Sequence, residues 1–183
     1  MDQLLIEREQ SLLLMVDVQE KLAPLCEKSL PWIDNIEWLL KIANKLGIAC
    51  LVTEQYPKGL SHTMPQLLPH ATLPALEKQY FSCVSDSACW QAISKKNCKQ
   101  IILVGIESHV CILQTALHCI EKGLQVFVVI DAISAKHHLD HKTALKRMAR
   151  AGVHLVTREM VVFEWLRVAG TDEFKMISKE FLR

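Results

Sequence analysis

Apolar and polar positions alternate along the chain in blocks that switch between strand-like runs and helical spacing. Ser11 to Val18 (SLLLMVDV) is almost unbroken hydrocarbon with an aspartate near its end, the pattern of a buried parallel strand that carries a polar group to the sheet rim. Pro31 opens a helical pattern through Leu46, with Trp32, Ile36, Leu39, Leu40 and Ala43 on one face and Gly47 as the stop. Ile48 to Thr53 reads as the second strand. Glu54 to Ala75 holds four prolines and one glycine, and is expected to be loop with one helical turn around Pro65 to Leu68. A loop that long inside a compact domain is usually functional.

Tyr80 to Cys83 is expected to be a short strand, and Asp86 to cap a helix running to about Lys96. Gln100 to Gly105 is a clear strand, and a helix from about His109 to Lys122 ends at Gly123. Gln125 to Ile130, a helix from about Lys136 to Arg150, the short strand Val153 to Val156 and one or two C-terminal helices complete the chain. Strands alternating with helices predict a three-layer, doubly wound, mostly parallel α/β sheet with right-handed crossovers. No linker, repeat or low-complexity stretch interrupts it, so residues 1–183 are read as a single domain.

Composition narrows the classes of function. Twenty-one Lys and Arg against twenty Asp and Glu leave +1, too balanced for the phosphate-attracting field of a non-specific nucleic-acid binder. The apolar runs are strand-length and fall short of a membrane span, and the first ten residues, with three acidic side chains, lack the features of a secretory leader. Seven cysteines at irregular spacing, without a Cys-x-x-Cys pair, read as reduced thiols of a cytoplasmic protein and not as a disulfide scaffold. The expected partners are a small-molecule substrate and further copies of the same chain, with neither nucleic acid nor membrane.

In open parallel sheets ligands bind beyond the carboxyl ends of the strands. That rule selects Asp17 at the end of the first strand, Lys78 beside the short third strand, and Cys111 in the first turn of the helix after Gln100 to Gly105. A thiol at a helix N-terminus beside a lysine is expected to ionise readily, and a carboxylate can take its proton. Each residue also has a plain reading: Asp17 as a cap, Lys78 as a solvated loop charge, Cys111 as helix core on the same face as Cys119.

At these residues the chain resembles the isochorismatase-like hydrolases, and especially the isochorismatase domain-containing proteins. The resemblance is carried by LLLMVDVQEKL (Leu12 to Leu22), LVTEQYPKGL (Leu51 to Leu60), LEKQYFS (Leu76 to Ser82), VGIESHVCILQTAL (Val104 to Leu117) and VVIDAISA (Val128 to Ala135). It implies an isochorismatase-like fold, related to the Rossmann type, with Asp17, Lys78 and Cys111 as a catalytic triad. It also implies a cis peptide at Ile106–Glu107 that brings the Glu107 amide beside that of Cys111 as an oxyanion hole. Isochorismatases proper have a small residue in place of the cysteine, so Cys111 points to acyl transfer on an amide-type bond. Nicotinamidases carry an Asp-x-His metal motif after the second strand, where this chain has Thr53, Glu54, Gln55 and Tyr56.

The reading is therefore a metal-independent cysteine hydrolase of small amides or related carbon–nitrogen bonds, with no cofactor and an oligomeric assembly. The alternative is a scaffold or interaction protein that retains the fold. Gln19, Tyr56, Phe81, Trp90 and His109 are the candidates for the substrate pocket; Trp90 reads equally well as core. His137, His138 and His141 contain an i, i+4 pair able to hold zinc, but read more simply as a solvated helix start. Asp131 and Ser134 read as loop-fixing caps. The apolar run Val161, Val162, Phe163, Trp165 and Leu166 is either an assembly surface or core.

Overall fold

The computed structural model describes residues 5–182; residues 1–4, the start of the segment read above for a leader, and residue 183 lie outside it. Six parallel strands form one sheet: β1 (Ser11–Val16), β2 (Ala49–Gln55), β3 (Leu76–Lys78), β4 (Gln100–Gly105), β5 (Gln125–Ile133) and β6 (His154–Val156). Their order across the sheet is β3-β2-β1-β4-β5-β6. The chain winds outward from β1 in both directions, which leaves the carboxyl ends of β1 and β4 at a topological switch point.

Because side chains alternate across a strand, each central strand feeds two cores. Leu13 and Met15 of β1, with Val52, Ile102, Val104, Phe127 and Val129, face α1 (Trp32–Lys45), α6 (Arg158–Leu166) and α7 (Asp172–Phe181). Leu12, Leu14 and Val16, with Leu51, Ile101, Leu103, Val126 and Val128, face α3 (Ser87–Lys95), α4 (Leu113–Glu121) and α5 (His138–Arg150). The remaining helix, α2 (Pro57–Leu60), is a single turn in the loop after β2. The run near the C-terminus is mostly core: Val161, Val162, Trp165 and Leu166 are buried, while Phe163 stays half exposed.

Several boundaries differ from the sequence expectation, each for a visible reason. β1 stops at Val16 because Asp17 turns into the left-handed region (φ 55°), a conformation that aspartate tolerates better than most residues. The third strand is Leu76–Lys78, paired with Thr53 to Gln55, and not Tyr80 to Cys83. In that later stretch the Tyr80 and Phe81 carbonyls turn toward the Lys78 ammonium instead of a neighbouring strand. Before α4 the chain makes one wide turn, Ser108–Ile112, in which the Ile112 N–H reaches the Glu107 carbonyl at 3.2 Å. β5 runs on to Ile133, where a register shift lets Ile133 pair with Gly105. The turn expected around Pro65 to Leu68 is present, with the Leu67 N–H on the Met64 carbonyl, and runs on into a 3-10 turn at Leu68–His70. Asp86 does cap α3, accepting from the Ala88 and Cys89 amides.

Two features hold the rim in place. Gly105 has φ 114°, and a Cβ there would lie 2.1 Å from the Val16 carbonyl oxygen, so only glycine lets β1 and β4 approach this closely beside Asp17. Glu54, buried near the end of β2, accepts from the Thr63 N–H and hydroxyl at 2.7 Å each and meets His62 Nδ1 at 3.0 Å. Burial works to raise this carboxyl, but the Thr63 donors and His62 outweigh it and hold it below the usual carboxylate range.

Gly105→Ala is expected to cost about 2 kcal/mol or more by chemical denaturation, since it combines a forbidden φ with a backbone clash. Glu54→Gln is expected to cost about 1 kcal/mol at neutral pH through weakened charge-assisted bonds. The depressed Glu54 pKa sets the sign of the pH effect: its contribution is present above about pH 4.5 and lost as pH falls through the folded value. The stability gap between wild type and Glu54→Gln should therefore close on acidification, which denaturant midpoints measured from pH 7 downward will check.

Candidate active site

Four neighbouring strands deliver one cluster. The sheet order places Lys78 at the end of β3, Gln55 at the end of β2, Asp17 just past β1, and Cys111 in the wide turn after β4. Register aligns Gln55 with Lys78, and Val16 with both Thr53 and Gly105, so the polar side chains emerge along one row. All three residues of the expected triad are buried: Asp17 is 0 % exposed, Lys78 1 % and Cys111 6 %.

The Lys78 ammonium is the hub. Its Nζ lies 2.7 Å from Asp17 Oδ2, 2.6 Å from Gln55 Oε1, 3.1 Å from the Phe81 carbonyl, 3.2 Å from the Tyr80 carbonyl and 3.6 Å from Cys111 Sγ. An ammonium has three protons, so five acceptors exceed what it can serve at once. The Asp17 Oδ2 contact is short but off-axis: the oxygen is held by charge and lacks a well-aligned donor. Asp17 Oδ1 accepts from the Thr53 hydroxyl at 2.7 Å.

Electrostatics then decide the resting protonation. Burial raises the Asp17 carboxyl against the opposing pull of Lys78, Thr53 and Cys111. Burial works to lower Lys78, but the Asp17 charge and the nearby thiols outweigh it and its pKa ends above the ordinary value. Burial and then the Asp17 carboxylate push the Cys111 thiol upward, and Lys78 offsets only part of this. The expectation of a readily ionised thiol is thus corrected. The lysine that was to lower the thiol is already paired with a carboxylate, and that carboxylate disfavours a second anion beside it. The thiol is therefore held neutral beside the close contact of Lys78 with Asp17.

The remaining candidates fall into separate places. Gln19 is consumed by backbone: its amide donates to the Gln55 and Ser61 carbonyls and accepts from the Gln55 N–H, so it braces the loop. Tyr56 and Phe81 are about half exposed on the segments that border Lys78. His109 sits two residues before Cys111 with Nδ1 buried and lacking a partner, while its Nε2 is 3.9 Å from Asp140. The Ile106–Glu107 peptide is cis, and Glu107 Oε1 accepts from the Lys136 N–H at 3.3 Å. Trp90 is placed elsewhere: it packs against the α3–α4 core with Lys122 over its ring, and Lys122 lies at the far end of α4 from Cys111.

His138 and His141 line one cavity but are held by different partners. His138 is 3.7 Å from Glu27, and His141 Nδ1 meets the buried Ser108 hydroxyl at 3.1 Å. Among the described residues no group of three or more His, Cys, Asp or Glu is arranged to hold a metal. Asp131 accepts from the Arg158 N–H and Ser134 donates to the Glu27 carbonyl, both loop-fixing bonds. Sequence reasoning missed Thr53 and Gln55; the signal was two polar side chains at period-two spacing on the end of a buried strand. Concavity alone would mislead: cavities of 440 and 160 Å³ are lined by residues such as Pro24, Trp32, Met64 and His141, and by none of Asp17, Lys78 or Cys111.

The isochorismatase domain model matches residues 11–160. The chain belongs to the isochorismatase family. Isochorismatase domain-containing protein 2A of Mus musculus is 36% identical over 93% of this chain and 82% of its own length. A solved structure described as MAR1 ribonuclease from Caenorhabditis elegans is 37% identical, with a TM-score of 0.87, covering 97% of this chain and 92% of that one. The Escherichia coli YcaC gene product, described as an octameric hydrolase of unknown specificity, superposes with a TM-score of 0.91 at 23% identity, covering 100% and 93% of the two chains. This family member therefore has a hydrolase fold, with an all-parallel sheet and helices on both faces.

Burial and then Asp17 raise the thiol while Lys78 lowers it, so Asp17→Asn should remove one of the two upward influences. Iodoacetamide is expected to label wild-type Cys111 slowly at pH 7 and to label Cys111 about tenfold faster or more in Asp17→Asn, as read by peptide mass mapping.

Proposed function

We propose that this protein is a metal-independent cysteine hydrolase that cleaves a small amide or related carbon–nitrogen bond through a thioester acyl-enzyme. The observation that carries the proposal is one ammonium holding both a carboxylate, at 2.7 Å, and a thiol, at 3.6 Å, in a buried site at the carboxyl ends of parallel strands. A raised carboxyl next to a raised thiol suits transfer of a proton during attack and not before it.

In this mechanism the Cys111 sulfur bonds to the substrate carbonyl carbon as its proton passes to Asp17. The carbonyl electron pair moves to oxygen, where the Glu107 and Cys111 amides serve as donors. Collapse breaks the carbon–nitrogen bond, and the proton on Asp17 leaves with the amine. Water then attacks the thioester, giving a proton to Asp17; the acid departs and the sulfur recovers its proton. Lys78 stays charged throughout, positions Asp17 and balances the anionic sulfur.

The proposal includes a single domain over the whole chain, a cytoplasmic site of action and a homo-oligomer, the last in keeping with the octamer described for YcaC. A second reading, RNA cleavage, is favoured by the description of the C. elegans relative. Against it stands the formal charge of +1, which gives little attraction for a polyanion. Tight RNA binding that weakens steeply with salt would favour it. A scaffold role predicts no turnover of any candidate.

Hydrolysis of a panel of small amides and carbamoyl compounds, followed by amine or ammonia release, tests the reading. Cys111→Ala, Lys78→Met and Asp17→Asn are each expected to lower kcat/KM by about a thousandfold or more. Turnover that survives in Cys111→Ala would reject the cysteine mechanism, and a panel in which nothing reacts would reject it in favour of the scaffold.

A further inference from the structure

The 440 Å³ cavity lies on the α1 side of the sheet, away from the core that holds the thiol. Ala23, Trp32, Ile33 and Met64 of its wall pack with the α1 core, whereas Cys111 belongs to the core under α3, α4 and α5. Backbone bonds fix that wall from several directions. The Ala23 N–H reaches the Gln19 carbonyl and the Met64 N–H the Val18 carbonyl, each at 2.8 Å. The Glu27 carbonyl accepts from Trp32 Nε1 at 3.1 Å and from the Ser134 hydroxyl at 3.0 Å, while the Glu27 N–H bonds the Ala135 carbonyl at 2.9 Å. The cavity is thus preformed, falls within the roughly 300 to 1,000 Å³ of small-molecule sites, and asks little reorganisation of its own residues on binding.

Charged groups at its edge differ in how far they are already used. Asp34 accepts from the Gln66 amide at 3.4 Å and stands in the first turn of α1, where the helix dipole offsets a negative charge. The Glu27 side chain lines the neighbouring 160 Å³ cavity instead, with its carboxylate 3.7 Å from His138. Lys28 lines the larger cavity, is exposed, and makes no hydrogen bond or ion pair among the described residues. The uncompensated charge beside this apolar hollow is therefore positive. A lysine can lie with its methylene stem along such a wall and its ammonium at the water boundary.

We infer that this cavity is a second binding site, separate from the thiol, for an amphipathic carboxylate: an apolar body against Trp32, Ile33 and Met64, and an anionic head at Lys28. Burial of the body supplies most of the affinity, since it takes hydrocarbon out of water on both sides. Lys28 selects the sign of the head group, because a cation placed there meets a like charge and an anion an opposite one. An exposed pair of this kind contributes modestly, so the preference is a matter of several-fold and not of orders of magnitude. Binding here requires no reaction at Cys111, and a failure of the hydrolase reading would leave it untouched.

The probes are octanoate, 1-octanol and octylammonium, which share one apolar body and differ in charge, with affinities measured by calorimetry on the full-length protein. Octanoate is expected to bind saturably at low millimolar concentration or below, about fivefold more tightly than octylammonium. Lys28→Met keeps the apolar stem and removes the charge; it is expected to lose about fivefold in octanoate affinity and to bind 1-octanol as wild type does. Leu30→Asp, at a half-exposed position on the wall, is expected to weaken all three probes. Lys28 is exposed, so the first variant keeps the test decisive even if the second fails to fold in a thermal melt. Equal binding of octylammonium, full octanoate affinity in Lys28→Met, as for a ligand seated at the thiol, or no saturable octanoate binding would each overturn the inference. If octanoate does not bind and Leu30→Asp lowers the sedimentation coefficient, the hollow is a contact between copies of the chain and the inference fails.

Discussion

A lysine ammonium buried to 1 % exposure is the constraint around which the rim of this sheet is arranged. An unpaired charge at that depth would cost several kcal/mol, so the fold must bring acceptors to it from different parts of the chain. Asp17 comes from β1, Gln55 from β2, and the Tyr80 and Phe81 carbonyls from the loop after β3. The left-handed turn at Asp17, the missing side chain at Gly105 and the absence of a strand at 80–83 are all consequences of meeting that demand.

Burial first, and then the same two residues, set the character of the thiol. In many reactive cysteines a nearby cation stabilises the thiolate in the resting protein. Here the cation is neutralised first, and the neutralising carboxylate sits where it disfavours sulfur ionisation. A thiol kept protonated is protected from stray electrophiles and oxidants, while the base that can take its proton stays within the same pocket. Under the proposed mechanism the nucleophile is generated by the substrate's arrival, in step with the bond that it forms.

Around this centre a second set of bonds fixes the loop after β2. Gln19 ties the Gln55 backbone to Ser61, and Glu54 ties Thr63 and His62 back to the strand end. These contacts let a segment with four prolines stand as a wall beside the ion pair, and they leave aromatic side chains as its outward face.

Most of the layered architecture was legible from hydrophobic periodicity, because a strand buried on both faces must be apolar at nearly every position and a covering helix on one side only. Gly47, Gly123 and Asp86 marked element ends correctly, since their local conformations and caps depend on few neighbours. Asp17, Lys78 and Cys111 were nameable from resemblance and from their places at strand ends. Their protonation was not, because it depends on burial and on which charge lies nearest to which, and neither is a property of any one segment. The roles of Gln55 and Thr53 were hidden for the same reason: their period-two spacing shows in the sequence, but only the parallel register of β1, β2 and β3 makes them partners of Lys78 and Asp17. Composition and periodicity determine that this chain folds as a doubly wound sheet; distances across the sheet decide that its rim holds a neutral thiol beside a saturated ammonium.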